Sequence, residues 1–142
     1  MKRILFLCSG NSCRSQMAEG WTRHLKGGQL EAHSAGVEPQ QLDPRAVRAM
    51  AEAGVDISRQ NAKHVDALGD QRFDWVVTVC DAAAERCPRF PGAARVLHRS
   101  FEDPPRLARS AVTEEEALVH YRRVRDEIRA YVEGLPGALK GG

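Results

Sequence analysis

No stretch of this sequence approaches the roughly 18 consecutive apolar residues that mark a membrane-spanning helix. The apolar run after Met1-Lys2-Arg3 stops at Ser9, short of the roughly 7–15 residues at the heart of a secretion signal. Neither a membrane nor export by that route is expected, and the cytoplasm is the default location. An excess of one charge is also lacking. The 21 Lys and Arg nearly balance 19 Asp and Glu, a formal charge of +2, too small to demand nucleic acid or an anionic lipid surface as partner. The five histidines occur singly, with no pair at metal-ligand spacing, and nothing points to a bound metal or organic cofactor. There is no internal repeat, linker or low-complexity segment. What is present is an ordinary globular composition, 42% hydrophobic and 28% charged, able to build a core. The length of 142 residues predicts one domain over 1–142, and a monomer is expected.

Periodicity orders the chain. Lys2 to Leu7 reads as a short apolar strand, followed by a loop and a helix from about Ser15 to Lys26, closed by Gly27-Gly28. Gln29 to Ala35 is a second strand. Asp43 then caps a helix with Pro44 at its first position, running to Ala53 with Gly54 as the stop. Phe73 to Val79 is rich in β-branched and aromatic residues, and Ala94 to His98 is a weaker strand; both are expected to be buried. The last helix begins near Thr113-Glu114-Glu115-Glu116, whose carboxylates suit the positive end of the helix dipole, and ends at Glu133. Its residues Leu118, Tyr121, Val124, Ile128, Tyr131 and Val132 recur at steps of three and four, so one face should pack on the sheet. The pattern predicts a single α/β domain with a mostly parallel sheet. Such sheets bind ligands at the carboxyl ends of their strands, which favours the loop after the first one.

That loop reads Cys8-Ser9-Gly10-Asn11-Ser12-Cys13-Arg14-Ser15, with five residues between Cys8 and Arg14. A loop of this length can curl its backbone N–H groups inward around a tetrahedral oxyanion, with the helix N-terminus behind it. Arg14 can add two charge-assisted hydrogen bonds. The same surroundings favour the thiolate of Cys8, the nucleophilic form. The Ser15 hydroxyl can hydrogen-bond that thiolate, and Asn11 suits left-handed backbone geometry and pinning of the loop. The plain alternative is an inert Cys8 ending a core strand, followed by a Gly-Asn turn. Agreement among strand context, loop length, Arg14 and Ser15 weighs against it.

The segment CSGNSCRSQMAEGW resembles the loop and first helix of the low-molecular-weight tyrosine phosphatase superfamily, specifically its arsenate reductase branch. HSAG (His33 to Gly36), GVDIS (Gly54 to Ser58), TVC and CP around Cys80 and Cys87, and FEDPP (Phe101 to Pro105) are similar to that branch as well. The resemblance implies a four-stranded parallel sheet flanked by helices. It implies that Ser9 to Ser15, including Gly10, Asn11, Ser12 and Cys13, hold arsenate or phosphate. It also implies that Cys8 is the nucleophile and Asp103 the general acid that protonates the leaving oxygen. Asp103 precedes Pro104-Pro105, which holds its backbone away from the helical region and can aim the carboxyl.

Reducing arsenate to arsenite takes two electrons, which two thiols supply by ending as a disulfide. Cys80 and Cys87 are placed to receive that disulfide in turn, and the resemblance implies thioredoxin as the external reductant. Asp81 to Arg86, rich in helix formers, is expected to be helical when reduced and to unwind when Cys80 and Cys87 join. A four-cysteine zinc site is disfavoured by the C-x4-C and C-x6-C separations, while plain buried thiols remain the ordinary alternative for Cys80 and Cys87. Cys13 either pairs protectively with Cys8 or simply packs. Glu19, Asn11 and Ser34 resemble ligands of a potassium site in some members, but Lys63 falls on a further acidic ligand, and its ammonium would take the cation's place. A phosphatase acting on phosphotyrosine or small aryl phosphates is the second enzymatic reading. A non-catalytic oxyanion or arsenite binder is the third, against which Asp103 speaks, since a binder needs no proton donor.

Overall fold

From Ile4 onward both faces of β1 (Lys2–Leu7) are buried, and this explains why Ile4 to Leu7 is an unbroken apolar run rather than an alternation. Ile4 and Phe6 point into one core cluster, and Leu5 and Leu7 into a second on the opposite face. Each contributes about 1.5–3 kcal/mol by leaving water, so Phe6→Ala would cost about 3–5 kcal/mol. The computed structural model describes residues 1–80 and 95–140; Cys87 and the expected Asp81 to Arg86 helix lie outside the described residues.

The sheet has four parallel strands in the order β2-β1-β3-β4. β2 (Leu30–Ala35) pairs with β1 from Lys2 opposite Leu30 to Leu7 opposite Ala35. β3 (Trp75–Thr78) lies on the other side, with Leu7 opposite Thr78. The chain thus steps outward from β1 to β2 and then returns across β1 to β3. That reversal is a topological switch point, the place where parallel sheets open a ligand crevice, and the loop after β1 sits there.

β4 (Val96–His98) departs from expectation. It is an edge strand, with Val96 54% exposed and only Leu97 half-buried. A short apolar run does not reveal whether its strand will be central or peripheral; the crossover order decides that.

Helix α1 (Arg14–Lys26) follows the loop, and its Met17, Ala18 and Trp21 are buried beside Ile4 and Phe6. Helix α2 (Pro44–Glu52) starts as the sequence predicts: Asp43 accepts a hydrogen bond from the Arg45 N–H at 2.9 Å, and Gly54 turns the chain away at φ 86°. Asp43 also accepts from the Tyr121 hydroxyl at 2.6 Å, joining α2 to the long C-terminal helix. A short helix, α3 (Pro104–Leu107), begins directly after Asp103. Helix α4 (Glu114–Glu133) is capped by Thr113, which accepts from the Glu116 N–H at 3.1 Å. Its buried row (Ala117, Leu118, Tyr121, Val124, Ile128, Val132) lies mainly against α1, α2 and α3 rather than directly on the sheet, and joins the same core. A final turn, α5 (Gly137–Lys140), closes the described chain. Among the described residues no helix is long and apolar enough to cross a membrane.

Candidate active site

Cys8 continues the β1 ladder one step beyond the strand, its N–H donating to Ala35 O at 3.3 Å, before the chain curls into the loop. Three backbone bonds then strap that loop from outside. Glu38 N–H donates to Ser9 O at 2.9 Å, Gln40 N–H to Gly10 O at 2.9 Å, and Asp43 N–H to Ser12 O at 3.0 Å. The Ser12 hydroxyl adds a bond to Gln41 O at 2.8 Å. A trans peptide points its C=O and N–H in opposite directions. Pinning the carbonyls to the 38–43 strap therefore leaves the loop's N–H groups for the inner side, as an anion nest requires.

Two residues make this curl possible. Asn11 takes φ 47°, the left-handed conformation expected of it. Its side chain is fully buried and committed: Oδ1 accepts from the Lys63 N–H at 3.0 Å and from Gln16 Nε2 at 3.1 Å, while Nδ2 donates to Ser15 Oγ at 2.8 Å. Gly36, at the end of β2, is pressed against the loop. A Cβ there would stand 2.5 Å from Ser9 O, 2.8 Å from Cys8 O and 2.9 Å from Asn11 N, so no larger residue fits without moving the loop.

The chemistry-bearing side chains converge inside. Cys8 is 3% exposed, a free thiol whose Sγ lies 3.0 Å from Ser15 Oγ. Arg14 opens α1 with its side chain 5% exposed; Nη1 donates to Phe101 O at 3.0 Å and Nη2 lies 3.6 Å from Asp103 Oδ1. Among the described residues helix α1 has no side-chain cap, and its first turn carries no carboxylate, so no described side chain takes up its positive end. Asp103 has extended backbone (φ −88°, ψ 104°) ahead of Pro104, and its side chain is 28% exposed. Cys8, Ser9, Gly10, Ser12, Cys13, Arg14 and Asp103 line one cleft of about 130 Å³, together with Gln40, Pro105 and Arg109. That is below the roughly 300–1,000 Å³ of sites for drug-sized ligands, and suits a small anion. A larger cleft of about 360 Å³ beside α1 contains no cysteine, so size does not choose the site.

Cys13 is also a free thiol, 4% exposed. Burial, and then the Asp43 and Asp103 carboxylates, push its ionisation well above the ordinary 9.0. It is held as a neutral thiol beside Cys8. Cys80 is fully buried in the same core cluster and is disulfide-bonded, with its partner outside the described residues. Val79 N–H donates to Leu7 O at 3.0 Å, so the ends of β3 and β1 are neighbours, and Cys80 leaves the sheet beside Cys8. Among the sequence-predicted residues, the structure thus brings together Cys8, the loop to Ser15, Arg14 and Asp103, with Cys80 adjoining.

The potassium-like group has a different character. Glu19 Oε1 accepts from Ser34 Oγ at 2.6 Å and lies 4.0 Å from Lys63 Nζ; Oε2 pairs with Arg23 at 3.0 Å. With Asn11 Oδ1 also meeting protein donors, these oxygens do not fit a cation site. Burial lowers the Lys63 pKa from its ordinary 10.5, with Glu19 opposing the shift. Sequence reading missed the 38–43 strap, the Gln16, Gln60 and Asn61 bonds behind Asn11, and the presence of Gln40 and Arg109 in the cleft. The only available signal was Pro-rich turn chemistry in EPQQLDP.

Residues 3–141 match the model of the low molecular weight phosphotyrosine protein phosphatase family. The chain belongs to that family. Within it, the chain is 48% identical over 127 residues to an arsenate reductase of Bacillus subtilis (strain 168), covering 89% of each. A solved arsenate reductase in the phosphate binding state superposes with a TM-score of 0.80 at 30% identity, covering 97% of this chain and 98% of that one. An arsenate reductase in the oxidized state gives 0.77 at 29% identity, covering 97% and 98%.

Proposed function

We propose that this chain reduces arsenate to arsenite by thiol chemistry that starts at Cys8. The observation that carries the reading is the adjacency of two chemically different cysteines. Cys8 is a free thiol in an anion cleft, and Cys80 is a disulfide-bonded one at the neighbouring strand end. A phosphatase needs only the first.

Arsenate is held by the inward N–H groups of the loop and by Arg14. The Cys8 thiolate attacks arsenic, and Asp103 gives its proton to the departing oxygen, which leaves as water. A Cys80 thiolate then attacks Cys8 Sγ. The electron pair of the sulfur–arsenic bond stays with arsenic, which passes from As(V) to As(III) and leaves as arsenite, while Cys8 and Cys80 are oxidised to a disulfide. Attack on Cys80 by Cys87 frees Cys8 and leaves Cys80–Cys87 for reduction by a thioredoxin-class dithiol. The named groups all belong to one chain, so the cycle needs no second copy. It suits the cytoplasm, where thiols are kept reduced.

Because the loop and Asp103 serve phosphate esters equally well, aryl phosphate hydrolysis is the competing reading. The two separate in one experiment: arsenate-dependent NADPH oxidation with thioredoxin and its reductase, beside hydrolysis of para-nitrophenyl phosphate. Arsenate turnover is expected. Robust hydrolysis without it would make the chain a phosphatase.

A further inference from the structure

The cleft changes character between its floor and its mouth. Cys8, Cys13 and Arg14 at the floor are buried, whereas Gln40 and Arg109 are exposed and Pro105 is half-buried. An oxyanion attacked in line by Cys8 turns its leaving oxygen away from the sulfur, toward that mouth. In an ester, the leaving oxygen carries the organic group outward, so the mouth must accommodate it. Among the described residues no aromatic ring lines the cleft and Pro105 is the only apolar side chain at the mouth. An aryl group would meet an arginine and an amide there. An inorganic oxyanion would instead present them with a bare oxygen.

Charge favours the second case. The nucleophilic sulfur and an incoming dianion together face Arg14, whose guanidinium is also shared with the Asp103 carboxyl 3.6 Å away. Arg109 is the other cationic residue of the lining, and it makes no ion pair or side-chain hydrogen bond among the described residues. It lies in the short 3₁₀ turn Ala108–Ser110, one turn beyond α3, the helix that Asp103 leads into. The Gln40 amide lies over Gly10, with Cδ 3.6 Å and Nε2 3.8 Å from where a Gly10 Cβ would stand. Both side chains thus carry N–H donors at the mouth, on elements tied to the loop and to the acid.

Resting on the arsenate reading above, we infer that Arg109, assisted by Gln40, is a specificity-determining residue. It binds the outward-facing oxygen and so favours an inorganic oxyanion over an organic phosphate ester. The interaction exists in the bound state before chemistry, so its loss should appear in KM more than in kcat.

Arg109→Met, which keeps the apolar stem, and Arg109→Lys test this. In the thioredoxin-coupled assay, Arg109→Met should lower kcat/KM for arsenate about tenfold, the order of one hydrogen bond to a charged group, chiefly through KM. The ratio of arsenate to para-nitrophenyl phosphate specificity constants should fall with it, and Arg109→Lys should recover part of the loss. The phosphate concentration that protects Cys8 from iodoacetamide should rise in parallel; this binding readout does not depend on which substrate the enzyme turns over. If wild type hydrolyses the ester and ignores arsenate, the arsenate reading fails, but the protection assay still decides whether Arg109 holds an oxyanion. Equal losses toward both substrates, or unchanged phosphate protection, would overturn the specificity role.

Discussion

Ser15 Oγ lies 3.0 Å from Cys8 Sγ and accepts a hydrogen bond from Asn11 Nδ2 at 2.8 Å. The Asn11 amide fills one acceptor position of the hydroxyl and leaves the Ser15 proton available to a Cys8 thiolate. Cys8 is therefore served by a donor that is itself held by the residue in left-handed geometry at the loop's bend. Ser15→Ala should slow iodoacetamide labelling of Cys8 at neutral pH about tenfold, the scale of a charge-assisted hydrogen bond. Phosphate protection should change little, since the hydroxyl is committed to Cys8. Labelling at the wild-type rate would show that the hydroxyl does not support the thiolate.

Asp103 stands 3.6 Å from Arg14, so its carboxylate and an incoming oxyanion address the same guanidinium. Asp103→Asn removes the proton donor and leaves a neutral amide beside Arg14. The first chemical step should slow by about 10²–10⁴-fold, the range for losing a general acid, while phosphate binding stays equal or tightens. Single-turnover kinetics and phosphate titration separate the two effects. A parallel loss in both would assign Asp103 a structural role.

The parts of the site that lie along one stretch of chain are legible in the amino-acid sequence. Cys8, Asn11, Arg14 and Ser15 share a loop, and their spacing states a geometry. The Asp43-Pro44 helix start is legible for the same reason, since capping is local. The remainder depends on segments distant in sequence. The strap from 38 to 43 bonds through its backbone, which any sequence carries. Arg109 is an ordinary surface arginine until α3 brings it to the cleft. Gly36 is visible as part of HSAG, but the reason a Cβ cannot stand there is the approach of Ser9 O to 2.5 Å, a tertiary fact. The exposure of β4 likewise follows from its place at the sheet edge, which the residues of Val96–His98 do not encode.

Cys13 yields a pH prediction. Its ionisation is raised above 9.0 in the folded protein by burial and by the carboxylates of Asp43 and Asp103. The folded state therefore holds a proton that the unfolded chain releases. The associated stability is fully present below pH 9.0 and is lost as pH climbs from there through the folded value. Urea unfolding should show wild type losing stability above pH 9.0 more steeply than Cys13→Ala. At about pH 8, below the thiol's ordinary range, native iodoacetamide labelling should leave Cys13 untouched, and Cys13→Ser should keep most arsenate turnover. A well-folded but inactive Cys13→Ser protein would place this thiol in the relay.

The order of the thiols is where reduction and hydrolysis part most sharply. Cys8 and Cys80 together hold the two electrons that arsenate needs, so Cys87→Ser should release one equivalent of arsenite and stop with a Cys8–Cys80 disulfide. Cys80→Ser should halt earlier, at the arsenic adduct on Cys8, because the thiol that displaces arsenite is gone. Cys80 leaves β3 beside the end of β1, so reaching Cys8 requires it to change partner rather than cross the fold. Closing a disulfide demands Cα atoms within about 7 Å, so each exchange has to bring its two cysteines that close in turn. Peptide mapping after one round with arsenate, with arsenite quantified in the same samples, distinguishes the two arrests. Repeated turnover with thioredoxin by both variants would mean that Cys8 is reduced directly and that no relay operates.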